Sequence, residues 1–322
     1  MGADVKKIKI NLKELCNQEE RLAPGHRMCA GCAEPIVVRQ VLHAIKEPVV
    51  VVSPTGCLEV TTGVFPFTPW RVPWVHSAFE NAASTVSGIE TAYRSLVKQG
   101  KVKDKGVKFV VFAGDGATYD IGFQWLSGAL ERGHRFLYVC LNNEAYMNTG
   151  IQRSGATPKG TWTSTSPVGK AMTGKSQHRK DMTAIVASHK IPYVAQIAPH
   201  AWRDLMTKVK KAISADGPSF LNALVPCTRG WRYIPAETLN LSKLAVDTCV
   251  WPLYEVDKGV WRLNHKPSPQ KPLLDWFKSQ GRFAHLLTPE STALADELQQ
   301  EVDQEWTKLE KLCQCFGDSP LP

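Results

Sequence analysis

Gly114-Asp115-Gly116 follows a run of apolar β-formers, Phe109-Val110-Val111-Phe112, and 26 residues separate Gly116 from Asn143. Glycine lets a backbone come close to a phosphate, and the start of a following helix favours negative charge there. Asp115 offers a hard carboxylate oxygen of the kind Mg²⁺ takes alongside phosphate oxygens. A second apolar run ends at Asn142-Asn143. It would bring the Asn143 amide oxygen to the same ion, because parallel strands present ligands at their carboxyl ends. The chemistry indicated is binding of a diphosphate through a divalent metal. A Gly-Asp-Gly alone occurs in many tight turns; the flanking strands and the spacing to the Asn pair make this one specific.

The second set of reactive residues is the nine cysteines. Cys29-Ala30-Gly31-Cys32 is a C-x-x-C, compatible by itself with zinc, a redox dithiol or an iron–sulfur cluster. Cys57 follows the first strand in Thr55-Gly56-Cys57, and Cys227 follows the last in Val225-Pro226-Cys227. These thiols therefore fall in loops beside core elements, where a cluster could be held near the diphosphate. No His pair has zinc-finger spacing, and His26 is read as serving its loop. Cys140, inside an apolar strand, reads as a small core residue; Cys16 and Cys249 read as packing residues. Cys313 and Cys315 form a C-x-C too short of ligands for a second cluster.

The elements that must position these residues are legible as alternating strands and helices, the pattern of an α/β fold with a mostly parallel sheet and helices on both faces. Strands are expected at 49–53, 108–113, 136–141, 193–197 and 219–225. Helices are expected at 77–97, 116–135 and 202–214, the first with a face of small residues (Ala82, Ala83, Ser84, Gly88). Residues 155–180, rich in Gly, Ser, Thr, Pro and Lys, read as a lid or a partner-contact loop. Composition changes near residue 256, where Pro267, Pro269 and Pro272 mark a linker-like stretch. The expected division is thus a cofactor-binding domain, 1–255, and a C-terminal extension, 256–322, that contacts another subunit. A last helix should begin at Thr288-Pro289-Glu290, with an apolar stripe through Leu294, Leu298, Val302, Trp306 and Leu309.

The bulk properties exclude some classes. With 39 basic and 30 acidic residues the net charge is +9. The basic residues are scattered without interleaved aromatics, which argues against nucleic acid and leaves a Lys-biased surface or attraction to an acidic protein partner. No run approaches the length of a membrane span. The N-terminus is charged, without an apolar signal core, and Gly2 lacks the myristoylation spacing. The expected location is the cytoplasm, where nine cysteines suggest metal or cofactor use rather than disulfides.

The Gly-Asp-Gly to Asn-Asn spacing resembles the thiamine-diphosphate signature. Taken with CAGCAEP, SPTGCLEV, VPWVHSAFENAAS, GDGATYDIG, NNEAYMNTG and VPCTRGW, the chain from about residue 22 to 254 resembles the thiamine-diphosphate-binding β subunits of pyruvate:ferredoxin oxidoreductases, in the 2-oxoacid:ferredoxin oxidoreductase family. The resemblance implies CoA-dependent oxidative decarboxylation of pyruvate, with electrons leaving through a [4Fe–4S] cluster to ferredoxin. It places the cluster on Cys29, Cys32, Cys57 and Cys227, and Mg²⁺ on Asp115, Asn143 and the backbone carbonyl of Ala145. It places the cofactor against Gly114, Gly116, Glu34 and Thr55, and sets Asn148 facing the substrate. The family often has Thr at the position of Asn143, and usually Gly where this chain has Ala33. The carboxylate that activates thiamine in this superfamily lies on a pyrimidine-binding domain for which the chain has no room. The implied partners are therefore an α subunit carrying that domain, ferredoxin-like γ and δ subunits, and ferredoxin.

Three other readings compete. A non-redox thiamine decarboxylase would need no four-cysteine set, and a zinc scaffold would need no Gly-Asp-Gly spacing. A sister enzyme for oxalate, a branched-chain 2-oxoacid or 2-oxoglutarate would keep both, since the partner subunit helps set the substrate.

Overall fold

The computed structural model describes residues 10–319; the N-terminal stretch on which the export and myristoylation readings rest lies mostly outside them. The chain enters through α1 (Leu12–Cys16), capped by the Asn11 side chain, and α2 (Glu34–Ala44), with Pro35 in its first turn. β1 (Val49–Pro54), α3 (Cys57–Thr62), β2 (Trp74–Ser77) and α4 (Ala82–Lys98) follow. β3 (Lys108–Gly114) leads into a turn of π-helix, Gly116–Ile121, and then α5 (Phe123–Glu131). Next come β4 (Leu137–Asn142), α6 (Met182–Ala187), β5 (Tyr193–Ile197), α7 (Trp202–Ser214) and β6 (Ser219–Leu224). The chain closes with α8 (Thr228–Trp231), α9 (Thr238–Asp247), β7 (Tyr254–Asp257), β8 (Val260–Leu263), α10 (Leu273–Lys278) and α11 (Thr292–Cys315).

The strands form one sheet in the order β2-β1-β3-β4-β6-β5-β7-β8. All pairings from β2 to β5 are parallel, and β7 and β8 add antiparallel. Strands buried on both faces are continuous apolar runs whose successive residues point to opposite layers. Val51, Val110 and Val139 pack on one side with residues of α2 and α7; Val52, Val111 and Cys140 pack on the other with residues of α4, α5 and α6. A third core, rich in tryptophan, lies under α9, α10 and α11. From β1 the chain steps outward to β2, then crosses back to β3. The crevice at the carboxyl ends of β1 and β3 is thus the topological switch where such sheets bind ligands.

The five expected strands are present, within a residue at either end. The helix expected across 116–135 is divided: the π-turn ends at Gly122, where a side chain would collide with the backbone of Ala117 and Glu80. Residues 155–180 are not an open loop. Thr157, Thr161, Thr163, Ser166 and Lys175 are buried, and the Lys175 ammonium donates to the Thr157 carbonyl. The sheet continues across the 255/256 boundary, because β7 spans it and β8 follows. The last helix begins later than expected, Pro289–Ser291 being a 3₁₀ turn; Leu298, Trp306 and Leu309 are buried. Cys16 is exposed and so does not pack as expected, whereas Cys140 and Cys249 do.

Candidate functional site: a pocket at the strand ends beside four thiols

One pocket opens at the carboxyl ends of β1, β3 and β4. Its lining includes Glu34, Thr55, Gly114, Asp115, Gly116, Asn143, Ala145 and Asn148, together with Cys57. The structure therefore brings together every residue expected at the diphosphate, the metal and the substrate. Phe79, Tyr146 and Met147 also line it.

Each polar group is oriented by its element. Asp115 directly follows β3, opens the π-helical turn and is 1% exposed; its Oδ2 accepts from Ser154 Oγ at 2.5 Å, while Oδ1 is buried without a partner. Burial pushes its carboxyl well above the ordinary range, opposed by the Ser154 hydrogen bond. A buried carboxylate oxygen with no donor is a ligand atom suited to a cation. Asn143, at the end of β4, donates from Nδ2 to Glu34 Oε1 at 3.2 Å, and its Oδ1 accepts from Ala145 N. Glu34 Oε2 is also buried and unpartnered; burial pushes this carboxyl up to about 7, against the Asn143 hydrogen bond. Asn142 faces the other way and donates to the Tyr119 hydroxyl at 2.9 Å. Of the Asn pair, then, the second is the one in the pocket, as expected.

The two glycines of the floor differ: above Gly114 the space is open, and above Gly116 it holds the Tyr146 ring. A side chain at Gly116 would run into the Tyr146 ring, so only glycine lets that ring close over the turn, and the Tyr146 hydroxyl donates to the Gly116 carbonyl at 3.1 Å. The π-turn beginning here is the kind of local distortion that gathers at functional sites.

The thiols stand beside this floor. Cys29 and Cys32 lie just before α2, Cys57 opens α3, and Cys227 caps α8. Cys29 is exposed and the other three are partly buried. Burial, then the Glu34 carboxylate, then the neighbouring thiols Cys227, Cys32 and Cys29 push the Cys57 thiol far up; Cys32 is raised in the same way. The four are thus near enough to act on one another electrostatically. Among the described residues no group of three or more His, Cys, Asp or Glu is gathered into a metal-holding arrangement. The fit to a cluster rests on the donor set: four thiols from three loops, the Cys227 sulfur accepting from Gly230 N at 3.4 Å. His26 Nδ1 is buried without a partner in the same loop.

Several residues here carried no signal in the sequence. Ser154 meets Asp115 from within the long connection between β4 and α6. Glu144, at φ 68°, is the left-handed residue between Asn143 and Ala145, and its carboxylate is buried against Arg282 at 2.6 Å and Arg179 at 3.5 Å. Trp231 Nε1 donates to the Asn143 carbonyl at 2.8 Å.

Comparison with known proteins adds a lineage. Residues 54–223 match the family described as thiamine pyrophosphate enzyme, C-terminal TPP binding domain. The chain is 48% identical to pyruvate synthase subunit PorB of Thermotoga maritima, over 97% of this chain and 99% of that one. It is 51% identical to the PorB subunit of Methanocaldococcus jannaschii, over 84% and 91%. It is 40% identical to ketoisovalerate oxidoreductase subunit VorB of Pyrococcus abyssi, over 93% and 95%. A solved structure of 2-oxoglutarate:ferredoxin oxidoreductase from Magnetococcus marinus superposes with a TM-score of 0.55 at 16% identity, covering 74% of this chain and 82% of that one, a likeness of fold.

Proposed function

The chain belongs to the 2-oxoacid:ferredoxin oxidoreductases, as a PorB-type subunit built on a thiamine pyrophosphate-binding domain, and we propose that it carries the diphosphate half of a pyruvate-oxidising site. The reaction is pyruvate plus CoA giving acetyl-CoA and CO₂, with an electron pair passed to ferredoxin. The observation that carries this reading is the single pocket lining Asp115, Asn143 and Ala145 together with Cys57.

Asp115, Asn143 and the Ala145 carbonyl would hold Mg²⁺ against the diphosphate, with Gly114 and Gly116 giving the phosphates close backbone approach. Thiamine diphosphate supplies an electron sink at the 2-oxo carbon when bound. Asn148 would hold the substrate-derived oxygen by a hydrogen bond. Glu34 and Thr55 would line the cofactor. Cys29, Cys32, Cys57 and Cys227 would ligate a [4Fe–4S] cluster that takes the electrons; a four-thiolate set is the usual cluster ligation. The buried floor under Tyr146 would shield a bound diphosphate from bulk water, which would strengthen the charge interactions there.

Partners complete the site. An α subunit would bring the pyrimidine-binding domain, and ferredoxin-like γ and δ subunits would relay electrons to ferredoxin, with CoA as co-substrate. Phe65 and Phe67 project at 93% and 77% exposure, apolar surface of the sort a partner subunit covers. The C-terminal extension from residue 256 onward, which completes the sheet through β7 and β8, is proposed to contact another subunit, and the cytoplasm is proposed as the compartment. No helix of the described residues is long and apolar enough to cross a membrane.

The test is an anaerobically purified complex assayed for 2-oxoacid-dependent reduction of a low-potential dye with CoA. Iron and thiamine are measured on the same sample. Pyruvate as best substrate, with bound thiamine and about four irons on this chain, supports the reading. Preference for a branched-chain 2-oxoacid, the direction in which the VorB relative points, changes the substrate and keeps the site. Zinc in place of iron, or no thiamine, overturns it.

A further inference from the structure

We infer that Arg282, on the C-terminal segment, is a positioning residue that holds the Asn143–Ala145 turn in its metal-binding shape. Glu144 (φ 68°), between the pocket residues Asn143 and Ala145, and Arg232 (φ 59°), next to Trp231, are non-glycine residues in the left-handed region. That conformation is strained for a residue with a Cβ and persists where surrounding contacts impose it. Both are tied to the dipeptide Gly281-Arg282. Gly281 N donates to the Arg232 carbonyl at 3.1 Å, and Arg282 Nη2 donates to Glu144 Oε2 at 2.6 Å.

Arg282 is 1% exposed, and its guanidinium lies 4.0 Å from the ring centroid of Trp231. Trp231 in turn reaches both halves of the site. Its Nε1 donates to the Asn143 carbonyl at 2.8 Å, and its backbone N–H donates to the Cys227 carbonyl at 2.9 Å. One cation therefore braces Glu144 through charge and, by stacking, the indole that spans the metal turn and a cluster thiol loop.

A buried ion pair is a poor source of stability, since desolvating both charges offsets most of their attraction. What this pair supplies is geometry: a planar guanidinium, itself anchored through Nε to Gln280 Oε1 at 2.6 Å, holds by one N–H a carboxylate whose backbone lies between Asn143 and Ala145. The segment after residue 256 thus shapes the cofactor floor as well as any partner contact. The inference rests on the proposed role of the Asn143–Ala145 turn in binding Mg²⁺.

The test uses the assembled complex and reads the Mg²⁺ concentration at which it retains half its thiamine diphosphate after gel filtration. Arg282→Lys keeps the charge and removes the planar group that joins Gln280 to Glu144. Because it could fail to assemble, the neutral pair Arg282→Met with Glu144→Gln is measured too, since it removes both charges of the buried pair and leaves only the partly exposed Arg179 guanidinium, which still donates to the Val250 carbonyl at 2.6 Å. In both, the Mg²⁺ requirement is expected to rise about 10-fold or more, while iron content is kept and turnover at saturating Mg²⁺ stays within about 2-fold. A variant complex that carries its iron and shows an unaltered Mg²⁺ requirement overturns the inference. If thiamine retention in the unaltered complex does not depend on divalent metal, the metal reading itself fails, whatever the variants do.

Discussion

Asp115 and Asn143 leave the sheet at adjacent strand ends and reach the pocket already hydrogen-bonded, to Ser154 and to Glu34. Cys29, Cys32, Cys57 and Cys227 come from three separate loops, one of them exposed, and burial holds Cys32, Cys57 and Cys227 toward the protonated thiol. The difference is one of what does the positioning. The fold shapes the diphosphate floor through strand register and buried donors. The thiol loops are brought near one another by the fold, but metal binding must displace their protons, so the cluster would set their final geometry. The two halves should accordingly be separable by mutation.

The largest expected effect is at Asp115. Asp115→Ala should lower turnover about 100-fold or more and abolish thiamine retention while leaving iron in place, as read by dye reduction and cofactor analysis. Cys57→Ala should do the reverse, losing iron and electron transfer but retaining thiamine. Loss of both cofactors in either variant would break the comparison, because it would mean that the halves form one cooperative unit.

A smaller effect is expected at Gly116. Gly116→Ala forces the Tyr146 ring from the turn and should cost about 1–3 kcal/mol by overpacking, with weaker thiamine binding and unchanged iron. Thermal unfolding together with thiamine titration measures both.

The smallest effect lies away from both halves. His200, bonded to Ser242 Oγ at 2.9 Å, is held down to about 4 by burial and then by the Lys243 ammonium and His265, opposed by Asp247. The fold therefore favours the neutral ring, and between about 6.5 and 4 the unfolded chain binds the extra proton. That contribution is fully present above pH about 6.5 and is lost as pH falls toward 4, by at most about 3 kcal/mol. His200→Asn should flatten this part of the stability–pH curve and leave iron and thiamine unchanged; a change in either would place His200 in the site.

The legible parts of this molecule are those whose cause is local. β1, β3, β4, β5 and β6 are continuous apolar runs because both faces are buried, and such runs are conspicuous. β2 is four residues at the sheet edge after a proline, too short to declare itself. β7 and β8 fall at the composition change near residue 256, ahead of the proline-marked stretch, and are too short to declare themselves, although Lys258 and Gly259, both at positive φ, make a two-residue hairpin turn that the Lys-Gly pair hints at. Within the site, Asp115 and Asn143 follow from strand, glycine and spacing. Ser154, Trp231 and Arg282 do not, because their roles depend on contacts 39, 88 and 138 residues away. Periodicity carries no record of such contacts.

The central claim is that the diphosphate floor and the four thiols work as one electron path, and rapid-freeze EPR of the anaerobic complex mixed with pyruvate and CoA tests it most directly. The account predicts a reduced [4Fe–4S] signal in the thiamine-loaded complex that disappears in both Asp115→Ala and Cys57→Ala. A pyruvate-dependent signal that persists in thiamine-free Asp115→Ala, or one that Cys57→Ala leaves intact, would contradict it.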